Sequence, residues 1–267
     1  MANTPENSGS SSVVNVNAPV FDWSTTPLAN CYNGFYLKVL DDFFTSEECA
    51  ALIALAESDD NWKQAAVHYG IGAHENYVNT DYRNSERILR FDHEAAEKLY
   101  QRLLPYVQEL VEIKPGDKWE RIIGQPGHVN GTWKLVGYVK ILSSLILKKK
   151  EKTNVKHFCS LNERLSFLRY EKGNYFRGHC DGQLELPDGR KSRVTLQIYL
   201  GDEEVEGGAT RISRGYRDKE AFVDIEPKKG RVLIFQQRGL FHSGEDVTKG
   251  VKYAVRSDFM FKHTEDS

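Results

Sequence analysis

A histidine and a carboxylate stand two residues apart, His179 and Asp181, in the stretch FLRYEKGNYFRGHCD. On an extended strand side chains alternate, so this pair shares one face and Cys180 takes the other, toward the core. An imidazole beside a carboxylate makes two thirds of a facial metal site. The third donor should be another histidine from far along the chain, and His242, in RGLFHSGEDVTKGVK, is the best candidate. Two histidines and one carboxylate leave three positions of an octahedral metal open, an arrangement that suits non-haem Fe(II) and a chelating co-substrate. Without His242, the His179–Asp181 pair would read as an ordinary surface pair. His68, His74, His93, His128, His157 and His263 have no partner at ligand spacing and read as structural.

Composition sets the background. The 267 residues are 40% hydrophobic and 28% charged, an ordinary globular balance for one large domain or two small ones. A formal net charge of -2 argues against a nucleic-acid binder, which carries a basic excess. Cys31, Cys49, Cys159 and Cys180 show no zinc spacing and are too sparse for a disulfide scaffold. The N-terminal residues have neither a basic nor an apolar signal region, and the longest apolar run, Tyr138–Leu147, is interrupted by Lys140 and too short to span a bilayer. The expectation is a cytoplasmic protein with no membrane partner.

The site needs elements to hold it. Residues 1–33, rich in Ser, Asn and Pro near the start, read as a disordered tail. Residues 34–137 read as a helical and loop lead-in. Within it, Thr45-Ser-Glu-Glu48 is a capping box opening a helix to about Glu57, with Cys49, Leu52, Ile53 and Ala56 inward. Asp92 caps a second helix through Val111, with Pro105 as a kink or break. Between them, TDYRNSER places Arg83, Asn84 and Arg87 together, either as a solvated turn or at a substrate mouth. Residues 161–263 change to short strands separated by turns. Arg193–Leu200, RVTLQIYL, has Val194, Leu196, Ile198 and Leu200 on one face and Thr195, Gln197 and Tyr199 on the other. An oily outside and a polar inside suit a barrel backed by helices and holding a polar ligand. On the last strand Lys252, Ala254, Arg256 and Asp258 share a face.

Tyr170, His179-Cys-Asp181, RVTLQIYL, Gly207-Gly208-Ala-Thr210, PKKGRVLIF, His242 and Lys252, ten positions after His242, together resemble the 2-oxoglutarate- and Fe(II)-dependent dioxygenases, prolyl 4-hydroxylase-like branch. The resemblance is strong over Leu161–Lys262 and looser upstream. It implies an α+β fold: a double-stranded β-helix, or jelly roll, with supporting N-terminal helices. It implies Fe(II) on His179, Asp181 and His242. Lys252 would pair with the distal carboxylate of 2-oxoglutarate, and Tyr170 and Thr195 would hydrogen-bond that carboxylate. O2 is the second co-substrate and ascorbate an auxiliary reductant. Arg256 is a competing anchor, because its planar fork binds carboxylates bidentately, and Lys252 is preferred by its offset. The implied reaction is hydroxylation of a C–H bond in a peptidyl-proline or small-molecule substrate, releasing succinate and CO2. The alternative is a catalytically silent jelly-roll module that binds metal or ligand without turnover.

Residues 138–160 are an anomaly. An aliphatic run and then a basic run, without Gly or Pro, separate GTWKLVG from LNERLSFLRY, which in this family follow one another closely. Three readings stay open: an amphipathic insertion, a lid beside the site, or a retained intron. Excision of 138–160 preserves the frame, and its borders can be encoded by common donor and acceptor forms.

Overall fold

The computed structural model describes residues 18–58, 61–67, 77–136, 160–201, 204–216 and 220–264. Strands in chain order are β1 (Leu37–Leu40), β2 (Lys63–Gln64), β3 (Arg83–Asn84), β4 (Glu86–Phe91), β5 (Glu112–Ile113), β6 (Thr132–Leu135), β7 (Arg164–Tyr170) and β8 (Tyr175–His179). They continue as β9 (Lys191–Tyr199), β10 (Glu206–Gly207), β11 (Thr210–Ser213), β12 (Phe222–Ile225), β13 (Val232–Gln236), β14 (His242–Gly244), β15 (Val247–Lys249) and β16 (Lys252–Thr264). The helices are α1 (Ala29–Tyr32), α2 (Ser46–Glu57), α3 (His93–Leu103) and α4 (Glu120–Ile123).

A large antiparallel sheet runs β1-β13-β9-β16-β7-β4-β2, and a smaller one runs β12-β11-β14-β8-β3. Two antiparallel sheets enclosing one cavity make the jelly roll. Alternation on β9 divides the large sheet's faces. Val194, Leu196 and Ile198 join Cys49, Leu99 and Leu103 of α2 and α3 in the main apolar core. The opposite face looks into the cavity. There the rungs read Gln197, Arg256, Ser166 and Leu89, then Tyr199, Ala254, Leu168 and Arg87, with Lys252 opposite Tyr170 beyond.

Local sequence explains the helices. Thr45 accepts from the Glu48 amide while Glu48 receives the Thr45 amide, so α2 opens on the expected capping box. Asp92 caps α3 by accepting from the Ala95 amide. That helix stops at Leu103 instead of reaching Val111, because Pro105 cannot continue the hydrogen-bond ladder and two 3-10 turns follow. Past Val111, the lead-in also holds the single turn of α4.

The tail assignment is corrected over 18–33. Trp23, Leu28 and Tyr32 are buried in a second apolar cluster with Leu37 and Phe235, and the Trp23 indole donates to the Phe35 carbonyl. Three large side chains outweigh the polar composition around them. Residues 1–17 lie outside the described residues.

Residues 137–159, nearly all of the anomalous insertion, also lie outside the described residues, but its borders do not. β6 and β7 occupy the same edge of β16, end to end. Leu135 faces Phe261, Met260 donates to the Ser160 carbonyl, and Leu161 bridges Phe259. The chain therefore leaves and rejoins one sheet edge at neighbouring rungs. Among the described residues no helix is long and apolar enough to cross a membrane.

A candidate metal centre and its co-substrate pocket

The small sheet assembles the candidate ligands. β14 pairs antiparallel with β8, and the register sets His242 directly opposite His179. Asp181 follows just past the end of β8. One donor atom from each of the three residues lies within 4.8 Å of the others. His179 Nε2 is 3.8 Å from Asp181 Oδ1, and His242 Nε2 is 3.9 Å from Asp181 Oδ2.

The far side of each ring fixes the tautomer. His179 Nδ1 lies 2.8 Å from the Arg177 carbonyl and His242 Nδ1 lies 3.1 Å from the Leu240 carbonyl. A carbonyl only accepts, so each Nδ1 carries the proton and each Nε2 turns a lone pair toward Asp181. The Phe176 ring stacks on His179 at 3.8 Å, and Phe235 meets His242 edge-on at 4.8 Å. Burial, reinforced by the neighbouring His242, pushes His179 down to about 3, so it stays a neutral ligand. Burial alone would raise Asp181; Arg256, the two imidazoles and a Thr195 hydrogen bond outweigh it and hold the carboxyl below its usual range. Two neutral imidazoles and one carboxylate, their donor atoms convergent, fit a divalent cation of the Fe(II) type.

The anchor residues separate by their partners. Lys252 is buried, 5.0 Å from the Tyr170 ring centroid, and its Nζ donates to the Gly208 carbonyl at 2.6 Å. Gly207 and Gly208 both take positive φ; a Cβ on Gly207 would stand 2.4 Å from the Asp246 carbonyl, so this sharp turn needs glycine. Among the described residues no carboxylate comes within ion-pair distance of Lys252, and burial pushes it down to about 8. Arg256 differs: its Nη2 lies 3.1 Å from Asp181 and 3.2 Å from Asp258. Thr195 is also engaged, donating to Asp181 Oδ2 at 2.6 Å. Its hydroxyl therefore sits at the carboxylate ligand and not beside Lys252, because Thr195 pairs with Asp258, well along the sheet from Lys252.

Sequence reasoning passed over two further parts of this site. Gln237 donates to Asp258 at 2.8 Å and accepts from Ser192 at 2.9 Å, steadying the Arg256–Asp258 pair. Arg164 lines the same pocket, and the alternation Arg164, Ser166, Leu168, Tyr170 could have placed it there. Of the two readings of RNSER, the pocket position is the one observed. The chain crosses from the small sheet to the large one at Ser85, so Arg83 on β3 and Arg87 on β4 line one pocket. Cys180 is corrected: it is exposed, because β8 ends at His179 and the chain turns out of the sheet.

Residues 165–257 match the family model of the 2OG-Fe(II) oxygenase superfamily. Among solved structures, a Pseudomonas putida prolyl-4-hydroxylase is 15% identical, covering 91% of this chain and 98% of its own, with a TM-score of 0.49. A viral collagen prolyl hydroxylase from Paramecium Bursaria Chlorella virus-1, solved with 2OG, is 19% identical (87% of this chain, 99% of its own, TM-score 0.45). A Trichoplax adhaerens prolyl hydroxylase, solved with a hypoxia inducible factor peptide, is 14% identical (87% and 85%, TM-score 0.46). No curated protein matches the chain in sequence.

Proposed function

We propose that this chain, a 2OG-Fe(II) oxygenase superfamily member through residues 165–257, is a 2-oxoglutarate-dependent hydroxylase of the prolyl 4-hydroxylase-like branch. It acts on a peptidyl-proline or small-molecule substrate. The observation that carries the reading is the pairing of two groups in one pocket: a convergent His-Asp-His donor set and a buried lysine that, among the described residues, has no carboxylate within ion-pair distance.

His179, Asp181 and His242 would hold Fe(II). Lys252 would receive the distal carboxylate of 2-oxoglutarate, with Tyr170 lining the pocket beside it. A buried ammonium costs several kcal/mol in desolvation unless an anion meets it, so the site is built to accept that carboxylate. Bound Fe(II), 2-oxoglutarate and O2 supply the oxidising chemistry, with succinate and CO2 as products. The chain's own residues supply geometry. The backbone carbonyls of Arg177 and Leu240 lock the imidazoles in the ligating tautomer. Thr195 and Arg256 fix the Asp181 carboxylate from two sides. Both sheets contribute walls around the reacting centre. Ascorbate is the reductant proposed to keep the iron ferrous, and the free thiols of Cys31, Cys49 and Cys180 suit a reducing compartment such as the cytoplasm.

Anaerobic titration of the Fe(II)-loaded protein with 2-oxoglutarate tests this. A visible metal-to-ligand charge-transfer band is the expected result. Its absence would leave the silent binding module in place of the enzyme.

A further inference from the structure

We propose that the substrate carries an anionic group, a carboxylate or a phosphate ester, received by Arg87 and Arg164. The inference rests on the hydroxylase reading and names the substrate class within it.

The pocket is far more basic than the molecule. Arg83, Arg87, Arg164, Lys252 and Arg256 line it against two carboxylates, Asp181 and Asp258, while the chain as a whole has a net charge of -2. Fe(II) and the 2-oxoglutarate dianion cancel one another in charge, so loading the site leaves the cationic surplus in place. Arg256 is held by its two aspartates and Lys252 faces the co-substrate position. Arg83 rests on the Phe176 ring at 4.5 Å and donates to Ser85. Arg87 and Arg164 have no carboxylate within ion-pair distance among the described residues.

Several other strand arginines are matched: Arg211 with Asp224 at 2.7 Å, Arg177 with Asp246 at 2.9 Å, and Arg169 with Glu86. Burial and then the like charges of Arg83, Arg164 and Arg256 push Arg87 down to about 10, so its charge is crowded and lacks compensation. Holding like charges together costs stability, and an arriving anion relieves it. The two arginines bracket a strip on the cavity face of the large sheet. Arg87, Leu89 and Phe91 alternate along β4, and Phe91, 76% exposed, stands opposite Arg164 on β7. Guanidinium forks at each end and apolar side chains between them suit an acid with an apolar body.

The test uses the full chain loaded anaerobically with Fe(II) and saturating 2-oxoglutarate, with binding read by calorimetry. Two matched pairs are compared: N-acetyl-L-proline with its amide, and N-acetyl-O-phospho-L-serine amide with N-acetyl-L-serine amide. The anionic member of one pair should bind at least about tenfold tighter than its neutral twin, and which pair responds identifies carboxylate or phosphate. The preference should collapse in Arg87→Gln and in Arg164→Gln, and the charge-transfer band of each variant reports separately on iron and 2-oxoglutarate. Absence of the band in the parent protein overturns the hydroxylase reading itself. A band with equal binding of charged and neutral members, or with none of the four binding, overturns this inference alone.

Discussion

At the scale of single residues, the site divides into groups that would touch the metal and groups that hold those in place. Asp181→Ala removes a candidate ligand from a pocket wall rather than from the apolar core, so iron binding should be abolished while circular dichroism stays folded. Retained stoichiometric iron would contradict the ligand assignment. Thr195→Val keeps the shape of the side chain and removes the hydroxyl that donates to Asp181 and accepts, at longer range, from Gln237 and Arg256. Metal affinity should fall about 10- to 100-fold, the usual effect of losing an outer partner, with 2-oxoglutarate affinity following only through the metal. Lys252→Ala should weaken 2-oxoglutarate by roughly 10- to 100-fold, as for a charged hydrogen bond, and leave iron nearly unchanged. If iron were lost instead, Arg256 would become the anchor. The sign of the pH dependence follows from Lys252, which burial pushes down to about 8. Only the protonated ammonium attracts the carboxylate, so 2-oxoglutarate affinity is full below that pH and declines as pH rises through it. Equilibrium titrations on both sides of pH 8 would show the decline, and Lys252→Arg, charged throughout, should flatten it.

At the scale of elements, α2 and α3 stabilise the large sheet from the face opposite the cavity. Thr45→Ala breaks the capping box of α2 and should cost about 1 kcal/mol in denaturant unfolding, with metal binding intact. Leu103, fully buried where α3 meets the sheet, should cost about 2–5 kcal/mol when cut to alanine. The elements were legible in the sequence to unequal degrees. Thr45 and Asp92 cap through hydrogen bonds, and Pro105 breaks the ladder, all within a few residues of themselves, so the start of α2, the start of α3 and the break after Leu103 could be read locally. The alternation of RVTLQIYL likewise gave both faces of β9. Trp23, Leu28 and Tyr32 could not be read that way, because their burial depends on Leu37 and Phe235 arriving from elsewhere.

At the scale of the whole molecule, the insertion is the open joint. Leu135 and Leu161 meet the same edge of β16 at neighbouring rungs, Phe261 and Phe259, so a chain lacking 138–160 can pass from β6 to β7 with no other strand displaced. Deletion of 138–160 should therefore give a folded protein whose iron and 2-oxoglutarate titration matches or exceeds that of the full chain. A deletion that fails to fold would show the segment to be part of the structure. Sequencing of transcripts across the join tests the retained-intron reading directly.

The candidate donors, their spacing and the alternation that puts Lys252, Arg256 and Asp258 on one face were legible in the sequence, since they follow from residue identity and the two-residue strand period. It also offered Lys252 and Arg256 as the two candidate anchors for 2-oxoglutarate. Cross-strand placement put two aspartates against Arg256 and, among the described residues, no carboxylate within ion-pair distance of Lys252. The tertiary structure alone set His242 opposite His179, moved the Thr195 hydroxyl to Asp181, and gathered Arg87 and Arg164 around one cavity. Those relations are cross-strand registers and sheet-to-sheet contacts between distant segments. Local periodicity says which way a side chain points but not what stands opposite it.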